Sequence, residues 1–372
     1  MNLNKLLLIN LFSKLKSESL FLIATFFAII TSFIILPKFS YIDTHVLMIL
    51  FNLMVVVELY KKENVLDFIA INFLKKYNSQ RIICAALIIL VFFFSMFLTN
   101  DVALITFIPL TIIIGKKSNF STLKIVILET IAANLGSALT PMGSPQNIYL
   151  YSKFAPAPIE FFKITFGIST VGLIILLLIN FFTPKDELIF ELETPIFKKN
   201  INVFVSTAIF VSVLLSIFFK LPIIFITIFN IGYLTYKKEN IFQKIDWILL
   251  ATFISFFIFV GNLSNIELIR SWMFNLLSES TQVYFTGIIL SQFISNVPAA
   301  ILISEFTTKW QPLLLGVNIG GLGTLIASLA SLISYKLYIS EFPEEKRKFF
   351  ILFSILNFSI LIFMGSLFTF FI

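Results

Sequence analysis

The sequence predicts an all-α polytopic membrane protein made of two inverted-topology repeats, each with a re-entrant helical hairpin and a broken transmembrane helix. Three observations carry that expectation. The 372 residues are 58% apolar, 16% aromatic and only 13% charged, with a mean hydropathy of +0.99, a balance that does not suit a water-facing surface. Two apolar stretches are too long for one crossing and carry polar residues in their middle. The second half of the chain also repeats the order and polar signature of the first. The same composition excludes a disordered scaffold, and the single cysteine, Cys84, excludes a disulfide framework. The net charge of +7 comes from 27 Lys and Arg against 20 Asp and Glu, but only Arg81, Arg270 and Arg347 are arginines and no cluster is interleaved with exposed aromatics. Nucleic acid is therefore not an expected partner, and the positioning of membrane loops explains the excess.

The elements follow in order. Residues 1–18 have a cationic start with no small-residue cleavage site after the next apolar run, so they read as a retained cytoplasmic segment. A span at 19–36 and another at 41–60 come next, the latter with Asp43, His45 and Glu58 near its ends, where polar groups reach the interface. An amphipathic stretch at 64–74 precedes the window 82–115, which holds one charge, Asp101, and as a single helix would run about 51 Å. The chain must turn near Thr99-Asn100-Asp101. Residues 130–152 are apolar but studded with Gly, Pro, Asn, Ser and Thr, the mark of a broken helix around a cavity. A span at 164–184 closes the first repeat, 19–182, and a cytoplasmic linker at 183–200 leads to a connecting transmembrane helix at 201–219. The second repeat, 220–372, runs through spans at 221–236 and 247–266, an amphipathic stretch at 265–275, and a window at 280–304 interrupted by Ser295-Asn296 and Pro298. It ends with a second broken stretch at 310–335 and a span at 349–372.

The repeat is visible residue by residue. SMFLTNDVAL (95–104) aligns without gaps on SQFISNVPAA (291–300), and NLGSALTPMGSPQN (134–147) aligns on NIGGLGTLIASLAS (318–331). Ile42-Asp43 opens a span just as Ile245-Asp246 does. Positive charges give an independent check, because short cytoplasmic loops hold most Lys and Arg. With both Asn-tipped segments re-entrant, 21 of the 27 cations fall inside, and making the first hairpin a single crossing would move Lys116, Lys117 and Lys124 outside. An odd number of crossings then separates equivalent points, which inverts the repeats. Hairpin one enters from the cytoplasm and hairpin two from outside, with the N-terminus inside and the C-terminus outside.

Inverted repeats with two interrupted helices and two tips meeting near the midplane are the physical plan of a secondary transporter. Helix N-termini offer N–H groups to an anion, while free carbonyls and Asn side-chain oxygens hold a cation. The candidate substrate- and ion-binding residues are therefore Thr99, Asn100, Asp101, Asn134, Gly136, Thr140, Pro141, Gly143, Ser144 and Asn147 in the first repeat, and Ser295, Asn296, Val297, Asn318, Gly320, Thr324 and Ser328 in the second. Asn100 and Asn296, amides at matched positions, are assigned to the site rather than to simple capping. Asp101, an intramembrane acid, is assigned to proton or cation carriage. The glycines beside Pro141 and Pro145 favour an unwound segment over plain packing. The hydroxyls of Thr140, Ser144, Thr324 and Ser328 are open between ligation and back-bonding to their own helices. Glu129 and Glu305 read as interfacial residues, His45 as a span-end residue without a repeat partner, and Cys84 as a small apolar packer.

These motifs resemble the ion transporter superfamily, which includes arsenite/antimonite permeases, citrate and dicarboxylate transporters and sodium/proton antiporters, over about residues 19–372. TNDVALITFIPL, and NVPAAIL followed by NIGGLGTLIASLASL, look most like an anion permease branch near the arsenite permeases, while NLGSALTPMGSPQN is similar to the carboxylate branch. The resemblance implies an elevator-like carrier in the cytoplasmic membrane, a homodimer, substrate between the tips, and Na+ near Asn100 and Asn296, with Na+ or H+ as coupling ion and no cofactor. The sequence departs from the carboxylate pattern at Asp101, where a hydroxyl is usual, and at Ser328–Ser331, where Pro-x-Asn is usual. Arsenite/antimonite efflux and Na+/H+ antiport without an anionic substrate are the transport alternatives. A channel or a membrane-embedded enzyme is the alternative of another class, and no His pair, HExxH, GxSxG or paired carboxylates support catalysis.

Overall fold

The computed structural model describes residues 19–188, 201–237 and 240–372; the N-terminal segment 1–18 and most of the 183–200 linker lie outside them. The first half contains α1 (Ser19–Ile34), α2 (Thr44–Lys62), α3 (Val65–Leu74), α4 (Gln80–Leu98), α5 (Asn100–Ser118), α6 (Leu123–Ser137), α7 (Pro145–Phe154) and α8 (Pro158–Phe181). After α9 (Ile201–Phe219), the second half contains α10 (Ile223–Tyr236), α11 (Trp247–Ser264), α12 (Glu267–Leu276), α13 (Ser280–Ile294), α14 (Asn296–Ser304), α15 (Trp310–Gly320), α16 (Leu329–Glu341) and α17 (Lys346–Phe368). Among the described residues, six helical stretches are long and apolar enough to cross a membrane: α2, α4, α8, α9, α11 and the C-terminal stretch Pro343–Phe371. The fold is all-helical, as the composition requires.

Local chemistry sets the helix limits. Asp43 and Asp246 cap α2 and α11 in the same way, their carboxylates accepting the N–H groups of Val46 at 3.0 Å and Leu249 at 2.9 Å. The long window does turn where the sequence requires: α4 stops at Leu98, Thr99 turns the chain, and α5 starts at Asn100. The window 280–304 does the same at Ser295. The two broken stretches each split into two helices, α6 with α7 and α15 with α16.

Two apolar clusters divide the interior. One gathers α4, α5 and α6 with parts of α8, α16 and α17, and the other gathers α2, α10, α11, α7 and α14. The helices ahead of the aspartate-capped spans change partners between halves: α1 packs along α11, and α10 packs along α2. Buried polar pairs fix this exchange, with the Thr25 and Ser255 hydroxyls 3.1 Å apart and Asn52 Nδ2 donating to Thr227 Oγ1 at 2.8 Å. Asn52 and Ser255 each sit nine residues after their capping aspartate. In hydrocarbon such pairs hold helices that apolar contact alone would leave free to slide.

Candidate functional site

The two tips have the same backbone. Thr99 lies at φ 73°, ψ 150° and Ser295 at φ 78°, ψ 152°, a left-handed region that a β-branched threonine enters only when its surroundings impose it. The surroundings are the helix breaks. The first N–H of α5, from Asn100, donates to the Gly143 carbonyl at 3.1 Å, and the first N–H of α14, from Asn296, donates to the Ala327 carbonyl at 2.9 Å. In return the Thr140 hydroxyl donates to the Met96 carbonyl in the last turn of α4, and the Thr324 hydroxyl donates to the Gln292 carbonyl in the last turn of α13 at 2.9 Å. Each hairpin tip and the break beside it therefore satisfy one another's orphan groups, which is what allows irregular backbone at membrane depth. Residues 140, 143, 96 and 100 match 324, 327, 292 and 296 in the repeat alignment.

Each break also has an amide that closes it. Asn147 Nδ2 donates to the carbonyls of Ser137, Ala138 and Thr140 at 3.1–3.2 Å. The second break has no Pro-x-Asn, and Gln292 of α13 does the work instead: its Nε2 donates to the Gly320 and Leu322 carbonyls at 2.8 and 3.0 Å, and its Oε1 accepts the Thr324 N–H at 2.9 Å. The breaks then bind each other across the repeats. Asn318 Nδ2 donates to Asn147 Oδ1 at 2.8 Å, Asn134 Nδ2 donates to Ser328 Oγ at 3.1 Å, and Gln146 Nε2 donates to Asn318 Oδ1 at 3.4 Å. Asn100 joins the network by donating to Asn134 Oδ1 at 3.2 Å.

Both tips line one small cavity of about 20 Å³, room for about one water. Asn100, Asp101, Ser295, Asn296 and Val297 face it together with Pro145, Gln146 and Pro298, and Thr252 and Phe256 of α11 form the opposite wall. A larger space of about 280 Å³ adjoins it, sharing Asp101, Pro145, Leu249 and Leu329, and Glu58, Lys61, Lys244 and Asp246 surround it. Lys61 is held by Glu58 at 2.8 Å. Three buried oxygen atoms on the lining segments have no protein partner: Asp101 Oδ1, Ser144 Oγ and Gln146 Oε1. Unpartnered oxygens on buried segments are free to accept a proton or a hard cation.

The candidate residues thus fall into groups. Thr99, Asn100, Asp101, Ser295, Asn296 and Val297 line the cavities. Asn134, Asn147, Asn318 and Ser328 hold the breaks together, and the Thr140 and Thr324 hydroxyls are committed to neighbouring carbonyls. Gly136 and Gly320 are close-packing positions: a Cβ on Gly136 would lie 2.2 Å from the Phe92 carbonyl oxygen, and one on Gly320 would lie 2.7 Å from Ser291 Oγ. Pro141, Gly143 and Ser144 are buried within the first break. Sequence reasoning missed Gln146, Gln292, Thr252 and Asp246; only Asp246, matched to Asp43, had a signal in the repeat. The interfacial reading of Glu129 is overturned, since it is 0% exposed and accepts a hydrogen bond from Thr111 at 2.6 Å. Glu305 is at the surface, paired with Lys153.

Paired helix breaks beside a common cavity in a multi-pass helical protein fit a membrane transporter, and the comparisons with known proteins agree. The sequence profile of the citrate transporter family (CitMHS) matches residues 7–312, so the chain belongs to that family. It is 37% identical over 302 residues to an uncharacterized transporter of Methanocaldococcus jannaschii, covering 80% of this chain and 82% of that one. It is 29% identical over 301 residues to the inner membrane protein YbiR of Escherichia coli, covering 80% of each chain. Human P protein is 30% identical over 117 residues, which is 30% of this chain and 14% of that protein.

Proposed function

We propose that this protein is a secondary active transporter that carries a small anion or oxyanion across the cytoplasmic membrane by elevator-like alternating access, coupled to H+ or Na+. The observation that carries the reading is that Asn100 and Asn296, each the first residue of a helix after a strained tip, line one cavity. Two helix N-termini turned toward one space offer partial positive charge to an anion. The orphan oxygens of Asp101, Ser144 and Gln146 offer the coupling cation or proton its ligands. In this reading the repeats are inverted and the hairpins re-entrant, and the space flanked by Lys61 and Lys244 is the cytoplasmic entrance. The hairpins and broken helices move against α2 and α11, in a homodimer with the N-terminus inside.

The substrate class follows from the cations that are missing. None of the three arginines lines the cavity: Arg81 donates to the Thr183 carbonyl at 2.7 Å, Arg270 sits over the Phe274 ring and Arg347 is exposed. Without a guanidinium fork, helix ends and amides favour a small or weakly charged anion over a tricarboxylate.

Purified protein in proteoliposomes, given a panel of oxyanions and carboxylates with Na+ and pH gradients imposed separately, tests this. One small anion is expected to accumulate against its gradient, with flux lost in Asn100→Ala and Asn296→Ala. Undiminished flux in both variants would overturn the site, and Na+-driven proton movement without any anion would identify an antiporter instead.

A further inference from the structure

Outside the cavity, one more acid is buried among the described residues. Glu129 of α6 is 0% exposed; its Oε1 accepts the Thr111 hydroxyl of α5 at 2.6 Å, and its Oε2 is buried without a partner. Among the described residues, no cation forms an ion pair with it. Lys124, on the same helix, donates its ammonium to the Ile179 carbonyl of α8 at 3.1 Å. The charged residues of α8, Glu160 and Lys163, are exposed at its first turn, as are Lys346, Arg347 and Lys348 of α17, and α15 carries none. The other titratable groups on the packed elements are Cys84 of α4, Arg81 of α4, held by Thr183, Asp101 at the start of α5, Tyr335 of α16, and Tyr338 of α16, which donates to Glu345. Lys116 and Lys117 of α5 and Lys336 and Glu341 of α16 lie toward the α5–α6 turn, Lys116 paired with Glu341.

Hydroxyl side chains are spaced along the α5–α6 contact between this acid and the α5–α6 turn. Thr111, Gly115 and Ser118 share one face of α5, and Thr122 and Glu129, seven residues apart, share the facing side of α6. The helices touch there, because a Cβ on Gly115 would meet the Thr122 side chain at 2.1 Å. The Ser118 and Thr122 hydroxyls are both buried without a hydrogen-bond partner, among the apolar side chains of Ile114, Ile125 and Val126.

We propose that Glu129 is a second proton-binding site, in the hairpin unit and separate from the tips, loaded and emptied from the cytoplasmic side along Thr111, Ser118 and Thr122. The proposal rests on the transporter reading for its purpose, since a proton held in the moving unit is one that transport can carry. An ionised carboxylate with one hydrogen bond and no counter-cation is costly at this depth, so the group changes charge by exchanging a proton rather than by holding an ion pair. Oε2 takes the proton from hydronium, leaving water, and returns it to water on release. Oε1 accepts from Thr111 in both states. The site lies about 7 Å along α6 from Asn134, close enough for its charge to act on the break.

Infrared difference spectroscopy of the purified protein in liposomes, recorded as pH is raised, tests this without a transported anion. The expected result is a protonated-carboxyl band that disappears as pH rises, shifts on exchange into D2O, is absent in Glu129→Gln and persists in Asp101→Asn. Thr111→Val keeps the fold's apolar volume and is expected to move the midpoint of the band by about one pH unit through loss of its hydrogen bond. A band identical in Glu129→Gln, a Glu129 band that never titrates, or one lost in Asp101→Asn would overturn the proposal. None of these outcomes bears on uptake through the tips, so the two readings fail separately.

Discussion

Substituting alanine at the paired glycines Gly136 and Gly320 tests the packing of hairpin on break, because the repeat makes the positions equivalent while the atoms facing them differ. On Gly136 the new Cβ would lie 2.2 Å from the Phe92 carbonyl oxygen and 2.9 Å from its carbon, and backbone in mid-helix cannot swing away. Relief requires α4 and α6 to separate by about 1 Å along a contact buried on both sides, at a cost near the top of the range for overpacking, about 3 kcal/mol. On Gly320 the nearest atoms are Ser291 Oγ at 2.7 Å, Ser291 Cβ at 2.9 Å and the Gly287 carbonyl oxygen at 3.0 Å. The hydroxyl can rotate, giving up its 2.7 Å hydrogen bond to Gly287, but the Cβ yields only by a small shift of α13, so relief costs about 1–2 kcal/mol. Thermal unfolding of the detergent-solubilised variants, followed by tryptophan fluorescence, should therefore place Gly136→Ala below Gly320→Ala, with the latter between it and the parent. Equal losses, or a larger loss at Gly320, would refute the reasoning, since both require the helix contacts to be looser than described.

Asn147→Ala removes the donor to three carbonyls and the acceptor of Asn318, and should destabilise the protein by about 1–3 kcal/mol in the same assay; Gln292→Ala should match it despite lying on a different element, and a silent Gln292→Ala would contradict its closing role. Asp101→Asn should abolish uptake driven by a pH gradient while leaving anion exchange, so unchanged proton-driven uptake would remove Asp101 as the carrier. In a Cys84→Ser background, Thr25→Cys with Ser255→Cys should form an oxidative cross-link that Thr25→Cys with Asn52→Cys does not, and the reverse pattern would contradict the exchange of helices between halves.

Much of the fold was legible because membrane geometry limits length. A 34-residue apolar window cannot cross once, so the turn at Thr99 and its partner at Ser295 followed from counting, and the Gly- and Pro-rich stretches announced breaks that helical backbone cannot tolerate. The cavity lining was legible where the repeat doubled the signal, at Asn100 and Asn296. It was hidden where one side chain serves a distant segment. Nothing local says that Gln292 replaces the missing Asn of the second break, or that Thr140 and Thr324 turn to the neighbouring hairpin rather than to their own helices. Glu129 was misread because distance from a window's end approximates depth, whereas burial depends on which face α5 covers. The exchange of α1 and α10 was also invisible, since Thr25 and Thr227 carry no mark of which helix they meet.

The claim on which the account stands is that the two halves lie upside down to one another, so that the turn following each hairpin faces an opposite compartment. Single cysteines placed at Asn119, in the α5–α6 turn, and at exposed Thr308, in the α14–α15 turn, measure this directly in a Cys84→Ser background. With a membrane-impermeant thiol reagent, Asn119→Cys should label only in inside-out vesicles and Thr308→Cys only in right-side-out cells. Labelling of both from the same side would contradict the account.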